Sequence, residues 1–196
     1  MMLVHSTIHR EDGPMPTLRA QSTAELRTRP YSLDMTGLQH FAASGSIIRL
    51  TVPPGPLQML SLVRGIFLTG VTDYEPRDFP GGAVVLTQFD LWDESADGIG
   101  HRYYEGILRR EGIVGTIKEN PAVSAEGGRD SWLSLCAVAL LPLVFRWDAW
   151  LLSSKDSFLG FVSHDGYVDI ALPTQIDAAR FRTEMSGEGS VVIPYV

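Results

Sequence analysis

Apolar and polar residues along the chain switch between two periods, and the switches predict the elements. Residues 46–52 alternate, with Ile48, Leu50 and Val52 on one side, which predicts a strand closed by the prolines at 53–56. From Pro56 the period lengthens. Met59, Leu62, Val63, Ile66 and Phe67 share a helical face, with Pro56 suited to the first turn and Gly70 to the stop. Residues 75–82 read as a loop and 83–92 as a second strand, buried near its start by Val84, Val85 and Leu86. The stretch 101–112 is ambiguous. Tyr104, Ile107, Leu108 and Glu111 fit a helix, and Gly106 weakens it. Residues 112–118 read as a strand and 122–130 as a loop. Asp130 or Ser131 caps a helix over 132–141, which Pro142 then ends.

The C-terminal third carries the plainest alternation. In 145–152, Phe145, Trp147, Ala149 and Leu151 oppose Arg146, Asp148 and Trp150. Runs at 158–163 and 167–172 follow after short turns, the second turning at Gly166. Together they predict an antiparallel meander over about 145–172. Its inward residues Phe145, Trp147, Val168 and Ile170 should share one core cluster with Leu135, Val138 and Leu141. Residues 173–189 read as a short polar helix and tail, and 191–195 as an edge strand limited by Pro194.

Residues 1–45 are different. They are polar and broken by Pro14, Pro16 and Pro30, with short helices expected at 23–28 and 34–43. Ordering thirty residues costs on the order of 1 to 2 kcal/mol each in backbone entropy. Burying Leu3, Val4, Ile8, Leu18 and Leu26 returns ~1.5 to 3 kcal/mol each. Such an arm must add strands to an existing sheet or lie on a second protein, and its prolines favour the second. The expected fold is therefore α+β. It has a mainly antiparallel sheet ending in the meander, two or three packed helices, and an extended polar arm (1–45) on one domain (46–196).

Composition narrows the function classes. The chain has 196 residues, 44% hydrophobic and 20% charged, which suits one globular domain. Its net charge of −7 argues against nucleic acid, since neutralising phosphates needs clustered Lys and Arg. The arm balances Arg10, Arg19, Arg27 and Arg29 against Glu11, Asp12, Glu25 and Asp34, so the net negative charge lies beyond Gly45. Cys136 is the single cysteine and stands in an apolar run, which reads as a core thiol. No secretory leader pattern opens the sequence, and the longest apolar run, 130–146, falls short of a membrane span. A cytoplasmic location is the expectation.

Candidate chemistry concentrates in the stretch 93–106, DESADGIGHRYYEG. Asp93, Ser95, Asp97 and Gly98 match positions 1, 3, 5 and 6 of a calcium-binding EF-hand loop. The second half fails, because position 12 is Tyr104, Glu105 comes one residue late, and position 8 is Gly100. A solvated acidic turn fits better, and Asp93, Ser95 and Asp97 remain the metal candidates. Asp90, with Asp93 three residues on, only partly resembles the aspartate pair of haloacid-dehalogenase-type phosphotransferases. The spacing is wrong and the rest of the motif is missing. His164 and Asp165 are neighbours on a turn, which does not make a hydrogen-bonded dyad. No serine elbow, zinc motif or phosphate-binding glycine loop occurs.

Four carboxylates within eight residues, with no compensating base and no complete catalytic set, favour a non-catalytic binding or assembly protein. Its contact residues would be Asp90, Asp93, Glu94, Asp97, Tyr103 and Trp150, and its partner another protein, a basic one by charge. Trp150 belongs there if the outer face of its strand is open, and not if a helix covers it. In type, though by no motif, such a small acidic α+β chain is similar to bacterial immunity proteins. One alternative is a metal-assisted hydrolase or transferase using Asp93, Asp97 and His101. Another is a subunit of a larger complex held by the N-terminal arm. No cofactor, nucleic acid or membrane is expected.

Overall fold

The computed structural model describes residues 17–42, 45–68, 79–88, 98–187 and 192–193. Among them the fold is α+β, built on one antiparallel sheet. The strands are β1 (Leu18–Ala20), β2 (Ser46–Thr51), β3 (Gly82–Gln88), β4 (Ala122–Ala125), β5 (Asp148–Ser153), β6 (Leu159–Ser163), β7 (Tyr167–Leu172) and β8 (Val192–Ile193). Their order across the sheet is β1-β4-β3-β5-β6-β7-β2-β8. The meander is present as β5, β6 and β7, with Leu151 opposite Gly160 and Gly160 opposite Ile170.

Both faces of this sheet are covered. On one face lie α3 (Pro56–Phe67), α4 (Ile99–Arg110), α5 (Arg129–Phe145) and α6 (Gln175–Gly187). They close over Ala149, Leu151, Val162, Val168, Ile170 and Leu172. Leu135, Val138, Leu141, Trp147, Val168 and Ile170 share that cluster as expected, and Phe145 packs against it half-buried. The opposite side chains, Trp150, Leu152, Leu159 and Ala171, face a second cluster with Tyr31, Leu38 and Ala42. That cover comes from the N-terminal segment, through α1 (Thr23–Arg27) and α2 (Met35–Phe41). Ser22 and Glu25 form a reciprocal capping box on α1, and Asp34 accepts the Gly37 N–H at the start of α2.

The segment expected to lie on another protein is, from Thr17 onward, part of this domain. β1 pairs with β4, Leu18 opposite Ala125. The Glu111 carboxylate accepts Thr17 N–H at 2.7 Å, the Thr17 hydroxyl at 2.8 Å and Leu18 N–H at 3.2 Å. These donors hold its carboxyl below the usual range against the opposing pull of desolvation.

Several local expectations are corrected. Residues 122–125 form a strand, because β1 and β3 pair with them on either side and bury Ala122 and Val123 completely. Residues 112–118 form turns instead of a strand. Gly112 and Gly115 have φ of 74° and 128°, which no extended strand allows, and Thr116 N–H bonds the Glu119 carboxylate. The ambiguous 101–112 segment is helical as far as Arg110, within α4, and Glu111 and Gly112 turn out of it. Helix α5 runs through Pro142 to Phe145, so β5 starts at Asp148. Proline removes one bond to the Val138 carbonyl. Burial of Leu141, Pro142 and Leu143 outweighs that loss, and Arg146, left-handed at φ 57°, stops the helix. Helix α6 is longer than expected, with Ala178, Phe181 and Met185 buried along one side.

A charged pair interrupts the second apolar face. Asp169 is fully buried on β7 opposite Arg49 of β2. Arg49 Nε and Nη2 reach its two oxygens at 2.7 Å each, and the guanidinium lies 3.9 Å over the Tyr167 ring. Removing one partner of such a pair leaves a buried charge without compensation. Arg49→Ala is expected to lower unfolding free energy by about 3 kcal/mol, read by urea denaturation at neutral pH. Arg19→Ala, which breaks only the exposed pair with Glu25, should cost less than about 1 kcal/mol. Equal losses in the two variants would contradict this ranking.

Candidate functional site

Helix α4 begins where the acidic stretch ends. Asp90, Asp93, Glu94, Ser95 and Asp97 lie outside the described residues. The residues that would complete a calcium loop are described, and they are committed elsewhere. Tyr104 is fully buried, and its hydroxyl donates to the Asn120 carbonyl at 2.6 Å. Desolvation pushes its ionisation well above the usual tyrosine range. Gly100 is small because α4 passes close to the α5–β5 junction: a methyl group there would meet Trp147 at 2.5 Å and Phe145 at 2.9 Å. The His101 ring lies 5.6 Å from that of Trp147. Among the described residues no three His, Cys, Asp or Glu side chains group as a metal site.

The two aromatic candidates separate. Tyr103 is 62% exposed on α4, its ring 6.4 Å from Phe145. Trp150 is 3% exposed and packs on Phe161 at 4.9 Å. The alternation had placed Trp150 on the sheet's other face correctly, but that face is closed, so this residue is not contact surface.

What gathers around Tyr103 is apolar. Helix α5 has non-polar residues on nearly every side. Its buried side meets the sheet, Leu133 and Val144 are exposed, and between them Ala137 and Leu140 are half-buried, Leu140 packing against the core. Their spacing of four, three and four keeps them in one narrow stripe. Leu133 is 57% and Val144 51% exposed, and Ile99 of α4 is 59% exposed. The two helices run antiparallel. Tyr103 near the start of α4 neighbours Phe145 at the end of α5, and Glu111 after α4 bonds Ser134 at the start of α5 at 2.8 Å. The far end carries arginines. Arg110 and Arg129 line an open cavity of about 1260 Å³ with Leu133, Arg19 and Arg29, and the carboxylates Glu111, Glu126 and Asp130 line it too. Arg19 is held there by Glu25, and Arg29 donates to the Tyr31 hydroxyl.

A second polar cluster was missed by the sequence reading. His164 bonds not to its neighbour's backbone turn but to Asp148, whose Oδ1 lies 2.8 Å from Nδ1 and also accepts the His164 N–H at 2.7 Å. Asp148 is buried at the start of β5. The β5–β6–β7 register creates this pair, and no local motif signals it. Asp165 approaches Nε2 at 3.6 Å. The cluster ties the β6–β7 turn to β5. Cys136, the chain's single thiol, is buried in α5, and burial pushes it up to about 12. The exposed stripe on α5 had one available signal, a helix whose apolar residues leave no polar side.

Comparison with known protein families, curated proteins and solved structures finds no match to this chain. Among the described residues no helix is long and apolar enough to cross a membrane.

The hydrogen bond to Asp148 raises the His164 pKa above its ordinary value of 6.5, against desolvation, with the charges of Asp148 and Asp165 adding to the rise. A raised folded-state value means that folding favours the protonated ring. Its contribution is full below the unfolded value and is lost as pH rises through the folded one. The difference in melting temperature between the native chain and His164→Ala should therefore be larger at pH 5.5 than at pH 8.5. A difference that grows toward pH 8.5 would contradict the pairing.

Proposed function

We propose that the chain is a non-catalytic binding protein that takes another protein on the outer face of α4 and α5. One observation carries this reading: the outward stripe of α5 is apolar along its length and open to water at Leu133 and Val144. A helix apolar on all sides is normally covered on all sides. Exposed apolar side chains on two neighbouring helices, Ile99 on α4 and Leu133 and Val144 on α5, with the exposed Tyr103, have the composition of a contact patch. Tyr103 keeps its expected role, and Ile99, Leu133, Leu140 and Val144 join it. Asp90, Asp93, Glu94 and Asp97 lie outside the described residues and stay contact candidates on sequence alone.

The two other readings have less support. The metal-assisted alternative retains only His101 among the described residues, and that ring packs beside Trp147. Assembly through the N-terminal arm would have to use residues before Thr17, since those from Thr17 to Ala42 pack on the chain's own sheet. A cytoplasmic setting goes with the favoured reading and rests on the single cysteine, buried and unpaired.

Affinity purification from native host cells, with tagged full-length chain, tests the proposal. Val144→Asp and Leu133→Asp should each lose a bound protein, or self-association, by about tenfold, the scale of one contact residue worth 1.4 kcal/mol. Leu57→Asp, on exposed α3 surface, should not. If the native chain and both face variants recover the same proteins in the same amounts, the reading is wrong.

A further inference from the structure

One half-buried carboxylate joins three elements. Glu111 Oε2 accepts Thr17 N–H at 2.7 Å and Leu18 N–H at 3.2 Å, and Oε1 accepts the Ser134 hydroxyl at 2.8 Å. The Thr17 hydroxyl closes the ring, 2.8 Å from Oε2 and 2.6 Å from Ser134 Oγ. Strand register leaves Leu18 N–H for this carboxylate. Gln21 N–H donates to the Ala122 carbonyl at 2.9 Å, so Arg19 and Ser124 make the next hydrogen-bonded pair of the β1–β4 ladder, and Leu18 N–H points away from β4. β1 lies at the end of the strand order, so among the described residues no strand flanks its other side. The two ends of the α4–α5 pair are held differently. At the Gly100 end, Trp147 and Phe145 stand too close for a methyl group, and Tyr104 is buried with its hydroxyl on the Asn120 carbonyl. At the Leu133 end, Glu111 just past α4 and Ser134 in the second turn of α5 share the bonds that also hold β1.

We propose that Glu111 makes the docking of β1 and the seating of the start of α5 against the end of α4 a single two-state unit. In one state β1 is paired and the carboxylate has its main-chain donors. In the other β1 has left β4, those donors are gone, and the helix ends around Glu111 and Ser134 open while the Gly100 end stays shut. A carboxylate that loses its donors must be hydrated in their place. Water reaches it from the open concavity that Thr17, Glu111 and Ser134 line. Leu133, exposed beside Ser134, moves with that end. The control this gives over the α4–α5 face rests on the binding role proposed above. Displacement of residues 17–18 weakens the face, and by reciprocity a protein seated on Leu133 holds β1 in place.

Amide hydrogen exchange of the purified full-length chain, resolved to single residues, tests the coupling. Arg19→Pro deletes the β1 ladder donor and leaves Glu111 and Ser134 in place. It should speed exchange by about tenfold or more, the scale of one lost hydrogen bond to a charged group, at the amides of 111–113 and 132–134. Amides of 101–104 and 149–152 should keep their native rates. Arg19→Ala, which loses only the exposed pair with Glu25, should change neither region. Glu111→Ala tests the reverse direction and should speed exchange at Arg19 and Ser124 by a similar factor. Native rates at 111–113 and 132–134 in Arg19→Pro overturn the proposal, whatever happens within β1. So do native rates at Arg19 and Ser124 in Glu111→Ala. A uniform rise over the whole sheet in either variant also overturns it, because the unit would then be the entire domain. The readout contains no partner protein, so failure of the coupling and failure of the binding reading are separate results.

Discussion

The central strands of this sheet are apolar on both faces, and the rest of the structure follows from that. Val168, Ile170 and Leu172 of β7 face one way and Ala171 the other, all without solvent exposure. On β5, Ala149 and Leu151 oppose Trp150 and Leu152 in the same manner. An antiparallel sheet can leave one face to water; this one cannot. Two layers are needed, and the chain draws them from different places. Four helices that follow or interrupt the strands cover the first face. The second is closed by residues between β1 and β2 in sequence, with Leu38 fully buried and Tyr31 edge-on to Phe41 at 5.1 Å. Within that second face the Arg49–Asp169 pair is tolerated because both carboxylate oxygens are satisfied.

The proposed binding surface is a consequence of how the first layer is built. Helix α5 is central to it, touching α3, α4 and several strands. A helix so placed needs apolar residues on most of its circumference. Its sequence goes further and keeps Leu133 and Val144 on the side that nothing in the described chain covers. Surface economy alone would put polar residues there. Glu111 adds precision by joining the end of α4, the start of α5 and the first residues of β1 through one carboxylate. The relative placement of the two helices is thereby fixed from the same residues that fix the N-terminal segment.

Much of the fold was legible. The meander appears in the sequence because period-two alternation over 148–172 survives burial of both faces: each side has its own apolar set. The helix over 56–67 shows in its spacing and in Pro56. What failed did so for physical reasons. Pro142 stops helices when only local terms count, and tertiary burial overrode it. Ala122–Ala125 has weak strand propensity and becomes a strand by being paired on both sides. Trp150 was assigned to its correct face, but whether that face was open depended on α2, over a hundred residues away. The Asp148–His164 pair depends on strand register, which no short motif reports. Of the candidate contact residues, Tyr103 is exposed and Trp150 is buried, and the exposed apolar residues of α5 were hidden inside what read simply as a core helix.

Closure of the second face by residues 17–42 is tested most directly by removing them. A chain beginning at Gly45 would expose Trp150, Leu152, Leu159 and Ala171 together and lose β1 from the sheet. Thermal unfolding followed by near-ultraviolet circular dichroism should then show no cooperative transition, with strong binding of a hydrophobic dye at room temperature. A truncated chain that still melts cooperatively within a few degrees of the full-length protein would show that the sheet stands without this layer, and would contradict the account.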